Sequence, residues 1–318
     1  MTEHVGSAGH HWERRTLQKV LLEHIKEQRR ARRWRIFFKL MIIIFIAFLL
    51  YNWFHKDLPQ PISSSKDHTA LINIKGEIDS EKEASAENIR DALHSAFKNK
   101  HVKGIVLRVN SPGGSPVQAR QIFEEIRSLR TQHPHVKIYA AIEDLGASAA
   151  YLISVAADAI YADKTSLVGS IGVRMDSFGF VEVMKKVGIE RRLYTAGKHK
   201  AFLDPYLPSK PDEVDFIERQ LGKVHEVFIN NVREGRGTRL HETPEIFSGY
   251  FWCGEDALAL GLIDGYGDAH YIAKEIIHAP DMVDYTPGVN LLDKIANRLG
   301  ASIGHAFSQS AHSFMKGL

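Results

Sequence analysis

One cysteine in 318 residues leaves Cys253 without an intrachain partner, so no disulfide can staple this fold and thiol pairing says nothing about compartment. Within the apolar run FSGYFWCGEDALALGL it reads as a small buried residue rather than a nucleophile. Internal repeats are missing, and low complexity is confined to one short stretch, which argues against a solenoid or an array. The 17 histidines form no compact ligand pattern, so neither a metal nor another cofactor is expected. Disorder of the whole chain is excluded by composition, with 44% hydrophobic and 25% charged residues, and the length suits one large domain or two small ones.

What is present is unevenly placed. The net charge of +3 conceals a basic block, Met1 to Lys39, with ten Lys/Arg against four Asp/Glu. Directly after its core comes IFFKLMIIIFIAFLLYNWF, residues 36–54, whose 19 residues would span ~28 Å as a helix, about the hydrocarbon thickness of a bilayer. Lys39 can snorkel to the interface, and Trp34, Tyr51 and Trp53 suit the interfacial belts. A cleavable signal peptide fits less well, because the basic region is too long and HKDLPQPISSS offers no small-x-small site.

These features predict a cytoplasmic basic arm (1–35), a transmembrane helix (36–54) and a polar linker (55–68) with Pro59, Pro61 and three serines. The remainder then lies across the membrane, which in a Gram-negative cell is the periplasm. Basic residues abutting a hydrophobic span are accounted for by topology and anionic lipid, so no nucleic-acid partner is expected.

From Thr69 onward strands and helices alternate. TALINIKGEI, GIVLRV, VKIYAAI, AIYAD and RRLYT read as strands, while residues 84–98, 117–130, 178–186 and 212–234 read as helices, with a further helix after Gly146. Such βαβ repetition predicts an α/β domain with a mainly parallel sheet, whose ligand sites lie at the carboxyl ends of the strands. Two small-residue turns fall at that edge: VNSPGGS (109–115) and LGASAA (145–150). The tail, residues 290–318, has apolar residues at helical spacing, fit to dock on the domain, a membrane or another subunit.

Ser148 stands among Ala147, Ala149, Ala150, Ala156 and Ala157, as if something must approach the backbone closely. On a strand-to-helix turn its hydroxyl would sit beside helix N-terminal amides able to bind an oxyanion, and the glycines of VNSPGGS would supply further donors. Ser111 in that turn reads as a capping residue. A nucleophilic serine needs a base. His199 and Lys200, in TAGKHKAFLDPY, both qualify: a lysine in a dry pocket loses the solvation that favours its charge and can accept a proton.

Four segments, LRVNSPGGSPVQA, GASAAYLISVAADAIYADKTSLVGSIGV, TAGKHKAFLDPY and FSGYFWCGEDALALGLID, resemble in order and spacing the signal peptide peptidase SppA family, in its short, membrane-anchored form. The likeness runs from Thr69 to about Gly267. It implies a ClpP/crotonase-like fold (69–289), a Ser/Lys dyad of Ser148 and Lys200, an oxyanion hole from Gly113, Gly114 and the amide of Ala149, and Ser170 orienting the lysine. It further implies a homo-oligomeric ring in which Ser148 of one protomer meets Lys200 of its neighbour, acting on signal peptides and other hydrophobic peptides. Many relatives carry two glycines after the nucleophile where this chain has Ala149 and Ala150, which bears on side-chain preference. The alternatives are crotonase-type acyl-CoA chemistry and a non-catalytic, membrane-tethered ring scaffold.

Overall fold

The computed structural model describes residues 28–30, 32–48 and 65–287, and the chain divides into two compact units, residues 1–60 and 61–318. In the first unit, residues 32–48 form a helix (α1) whose apolar side chains, among them Phe37, Ile43, Ile44 and Phe45, are exposed. The expected membrane span extends to residue 54, so its last six residues lie outside the described ones. Among the described residues no helix is long and apolar enough to cross a membrane. Most of the basic arm, most of the linker and all of the 290–318 tail also lie outside the described residues.

The second unit is built on an eight-stranded mixed sheet: β1 (His68–Lys75), β2 (Val102–Ser111), β3 (Lys137–Ala147), β4 (Ala159–Ala162), β5 (Leu167–Gly169), β6 (Phe251–Cys253), β7 (Gly265–Tyr266) and β8 (Met282–Asp284). The path runs β6-β5-β3-β2-β1-β8, with β4 pairing both β3 and β7 off it. Every pairing is parallel except β5 with β6. Parallel strands covered on both faces read as continuous apolar runs, and β1 is buried at seven of its eight positions wholly or in part.

Helices cover the sheet by their apolar stripes. In α2 (Ala86–Lys98) the buried residues Ile89, Ala92, Leu93 and Ala96 recur at i, i+3, i+4 and i+7, and the Ser85 hydroxyl caps the helix by accepting from Asn88 N–H. α3 (Pro116–Gln132) starts on Ser115, whose hydroxyl accepts from Gln118 N–H, with Pro116 in the first turn, where its missing donor costs nothing. A short α4 (Ala149–Ser154) leaves β3, and α5 (Val181–Lys186) buries no residue at all. The long α6 (Pro211–Arg236) follows, then α7 (Gly254–Ala259) and α8 (Ala269–Tyr271).

α6 meets the chain just beyond α4 so closely that a Cβ on Gly235 would stand 2.2 Å from the Val155 carbonyl oxygen. Near this contact, buried Arg236 holds both carboxylate oxygens of Asp264 at 2.7 and 2.9 Å and donates to Gly261 O. Asp264 in turn accepts from Ile160 N–H, and the buried Tyr151 hydroxyl donates to Leu262 O. Burial works against the Asp264 charge, but the Arg236 hydrogen bonds and charge outweigh it and hold the carboxyl below its usual range. Burial also pushes the Tyr151 phenol far above its ordinary value, so it remains a donor at any physiological pH.

One expected strand is absent. Residues 191–195 are irregular and exposed, because no other strand of the described residues offers them a ladder. Tyr194 and Thr195 in RRLYT have strand propensity, but propensity without a partner or a buried face does not make a strand.

Candidate active site

The carboxyl ends of β2, β3 and β5 meet at one point. β3 pairs with β2 up to Ile142 opposite Val109, bulges, and resumes with Gly146 opposite Ser111. The displaced segment is held by Asn110 Nδ2 donating to Asp144 and by the Ser166 hydroxyl donating to Glu143 O. On its other side β3 pairs with β5, Ala147 facing Gly169. Ser148 and Ser170 are therefore the first residues past two neighbouring strand ends.

Both have left-handed backbones, φ 54° at Ser148 and 51° at Ser170, a conformation that non-glycine residues rarely adopt without compensating contacts. For Ser148, with ψ −125°, the compensation is on either side: its N–H donates to Gly169 O at 2.8 Å, and its own carbonyl accepts from Leu152 N–H at 3.0 Å, starting α4. Its hydroxyl makes no capping bond and is half-buried. A sharp strand-to-helix turn that presents an unengaged hydroxyl at the mouth of the sheet is the geometry a nucleophile requires.

The small residues around it now have reasons. A Cβ on Gly146 would lie 2.8 Å from the Ile142 side chain, and one on Gly113 would lie 2.8 Å from Ser148 Cβ and 2.9 Å from Ala149 N. Ala149 and Ala150 are buried where the turn enters the core. So Gly113, with φ 101°, packs its backbone directly on the nucleophile turn.

Of the three amides expected at an oxyanion site, Gly113 N–H is already donated to the Ser111 hydroxyl at 3.1 Å. Those of Gly114 and Ala149 have no acceptor among the described residues outside regular ladders. The glycine turn is braced from below: Ile78 N–H donates to Gly113 O and Ser115 N–H donates to Ile78 O. A Cβ on Gly114 would stand 2.2 Å from Ile78 O, so no larger residue fits there.

Ser170 N–H donates to Tyr250 O, Gly172 N–H returns to Ser170 O, and His225 Nε2 on α6 donates to Ile171 O at 3.0 Å. The place of Tyr250 and His225 beside Ser170 was not legible in the sequence, since both lie far along the chain.

Lys200 is not brought into this cluster by any hydrogen bond among the described residues. It lies exposed in a turn, with its N–H donating to Gly197 O, in an arm spanning residues 173–210. His199 beside it is equally exposed. The arm is ordered by its own contacts: Phe180 stacks on Tyr206 at 5.5 Å, the Arg191 guanidinium lies 5.0 Å over the same ring and pairs with Asp204, and Leu203 N–H donates to Glu213. The Lys210 ammonium and that Leu203 N–H hold the Glu213 carboxyl below its usual range.

Comparison with known proteins bears on the family. Residues 130–280 match the model of peptidase family S49, and residues 62–165 match that of Clp protease. Two proteins named "Na(+)/H(+) antiporter NhaA", from Brucella abortus and Brucella melitensis, are each 47% identical over 176 residues, 55% of this chain but 24% of theirs. The chain thus spans about a quarter of the length of those relatives. A Methanocaldococcus jannaschii protein named "Putative protease MJ0651" is 33% identical over 235 residues, covering 72% of this chain and 74% of its own. The Arabidopsis thaliana "Serine protease SPPA, chloroplastic" is 27% identical, over 76% of this chain and 38% of its own.

Proposed function

The chain belongs to peptidase family S49, and on that premise we propose that it is a membrane-anchored serine endopeptidase degrading hydrophobic peptides, signal peptides released from preproteins among them. The observation that carries this reading is the strained Ser148 turn, whose hydroxyl makes no capping bond, with the Gly113 backbone packed against it and the Gly114 and Ala149 amides lacking an acceptor among the described residues.

In the proposed reaction Ser148 Oγ attacks the scissile carbonyl carbon while the Lys200 amine takes the hydroxyl proton. The tetrahedral oxyanion accepts hydrogen bonds from Gly114 and Ala149 N–H, each such donor being worth roughly 10²- to 10³-fold in rate. Collapse breaks the peptide C–N bond, and Lys200 returns the proton to the leaving amine. Water then attacks the acyl ester while Lys200 accepts its proton; the bond between Ser148 Oγ and the acyl carbon breaks, the product leaves as its carboxylic acid, and Lys200 returns the proton to Oγ. Ser170, one residue past β5, would orient the Lys200 amine.

A lysine serves as base only where water is excluded around its amine. Lys200 is exposed in the single protomer, so the reading requires a second copy to cover it and to bring it to Ser148. Exposed apolar side chains along the same arm, Phe178 at 77% and Tyr194 at 89%, support such a ring. The basic residues before position 40 and the apolar α1 support an anchor with a cytoplasmic N-terminus and the peptidase unit on the far side.

The test is hydrolysis of a fluorogenic hydrophobic peptide by the full chain in detergent, comparing wild type, Ser148→Ala, Lys200→Ala and the two variants co-assembled. Each single variant should lose at least about a thousandfold, since members of a catalytic unit are individually indispensable. Recovered activity in the mixture supports a dyad shared between protomers. Full activity in both variants refutes the mechanism.

A further inference from the structure

We infer that Ser111 is a positioning residue of the oxyanion site, setting which glycine amide faces the substrate. The inference rests on the peptidase reading above and deepens it.

It comes from accounting for the polar backbone groups of residues 111–115. Pro112 has no N–H. Gly113 N–H donates to Ser111 Oγ at 3.1 Å, Gly113 O accepts from Ile78 N–H at 2.9 Å, and Ser115 N–H donates to Ile78 O at 2.8 Å. Of the N–H groups in the turn, only that of Gly114 is left without a partner among the described residues. A turn with φ 101° and 150° at successive glycines has few intrinsic restraints, because neither residue carries a Cβ to limit its rotation. The restraints are therefore the three hydrogen bonds, two from Ile78 and one from Ser111.

Ser111 is placed to act with precision. It is fully buried, it is the last residue of β2, and it is paired with Gly146, two residues before Ser148. Gly113, whose amide it holds, is the residue packed on Ser148 and on Ala149 N. Removing the hydroxyl leaves a buried N–H with no acceptor, which favours rotation of the Pro112–Gly113 peptide plane. Gly114 follows in sequence, so its amide turns with that plane and moves relative to the Ala149 amide, on which the Gly113 backbone packs. The defect then lies in stabilising the transition state and leaves ground-state binding of the peptide nearly untouched.

The experiment uses the full chain in detergent, with active sites counted by fluorophosphonate labelling so that kcat is per competent Ser148. Ser111→Ala should lower kcat by roughly 10- to 100-fold with KM within about twofold, less than outright loss of an oxyanion donor. Ser111→Thr, which restores the acceptor, should recover most of kcat. Should Ser111→Ala show no cooperative melting, Ser111→Cys replaces it, similar in size but a weak acceptor, with the same expected loss. An unchanged kcat, a loss carried by KM, or a Thr variant no better than Ala overturns the inference. Wild type that neither cleaves peptide nor labels at Ser148 refutes the peptidase reading itself and this inference with it.

Discussion

At Ser148 the backbone holds a conformation costing of order 1–3 kcal/mol, and the surroundings that offset it are all small or backbone groups. Gly113→Ala tests this crowding directly. Its new methyl would fall 2.8 Å from Ser148 Cβ and 2.9 Å from both Ala147 O and Ala149 N, on a residue whose φ is 101°. None of these three atoms is the flexible end of a side chain, so the turn itself must move. Peptide hydrolysis should fall by at least about a hundredfold while the melting transition remains cooperative, displacement of the nucleophile by an ångström being enough for that loss. Activity near wild type would mean that Gly113 does not press on the nucleophile turn. The alanines around Ser148 were legible as a sign of close approach because smallness is written in the residue itself. The use of Gly113 N–H by Ser111 was not, since the sequence shows which residues can donate and not which acceptor each one finds.

Among the elements, the long amphipathic helices were readable nearly to their ends: residues 84–98, 117–130 and 212–234 became α2, α3 and α6, each extended or trimmed by a turn or less. Period and cap residues decide such segments locally. Strands β5 to β8, two or three residues each, carry no period to read, and residues 191–195 had strand propensity without a partner. The tie between α6 and the strand that ends at Ala162 was also invisible, because Arg236 and Asp264 gain meaning only when buried together. Asp264→Asn leaves the Arg236 guanidinium uncompensated in a nearly dry site, and should cost about 3 kcal/mol or more in denaturant unfolding near neutral pH. Because the folded-state Asp264 carboxyl titrates below its unfolded value near 3.9, the pair stabilises fully above that pH. That contribution fades as pH falls through the folded-state value, so the gap between wild type and variant should narrow in acid. A gap independent of pH would place the stabilisation in packing rather than in charge.

On the scale of the molecule, one region does not look finished. The sheet and its covering helices bury a continuous apolar core, whereas the 173–210 arm presents Met175, Phe178, Val183, Val187, Ile189 and Tyr194 to solvent. α5, inside the arm, buries nothing, so the packing of a lone protomer gives no reason for its apolar residues. Burying a large apolar side chain is worth about 1.5–3 kcal/mol, so six of them provide ample drive for association even after the entropic cost of joining copies. If the arm covers a neighbour, charge on its apolar side chains should oppose assembly without harming the protomer. Val183→Asp combined with Val187→Asp should therefore leave the melting transition of the peptidase unit in place, convert a large species to protomers in sedimentation, and abolish peptide hydrolysis by uncovering Lys200. The single-copy alternative makes the opposite forecast. A wild-type chain that sediments as one protomer in detergent and still cleaves peptide would require Lys200 to reach Ser148 within its own fold, by a movement of the arm.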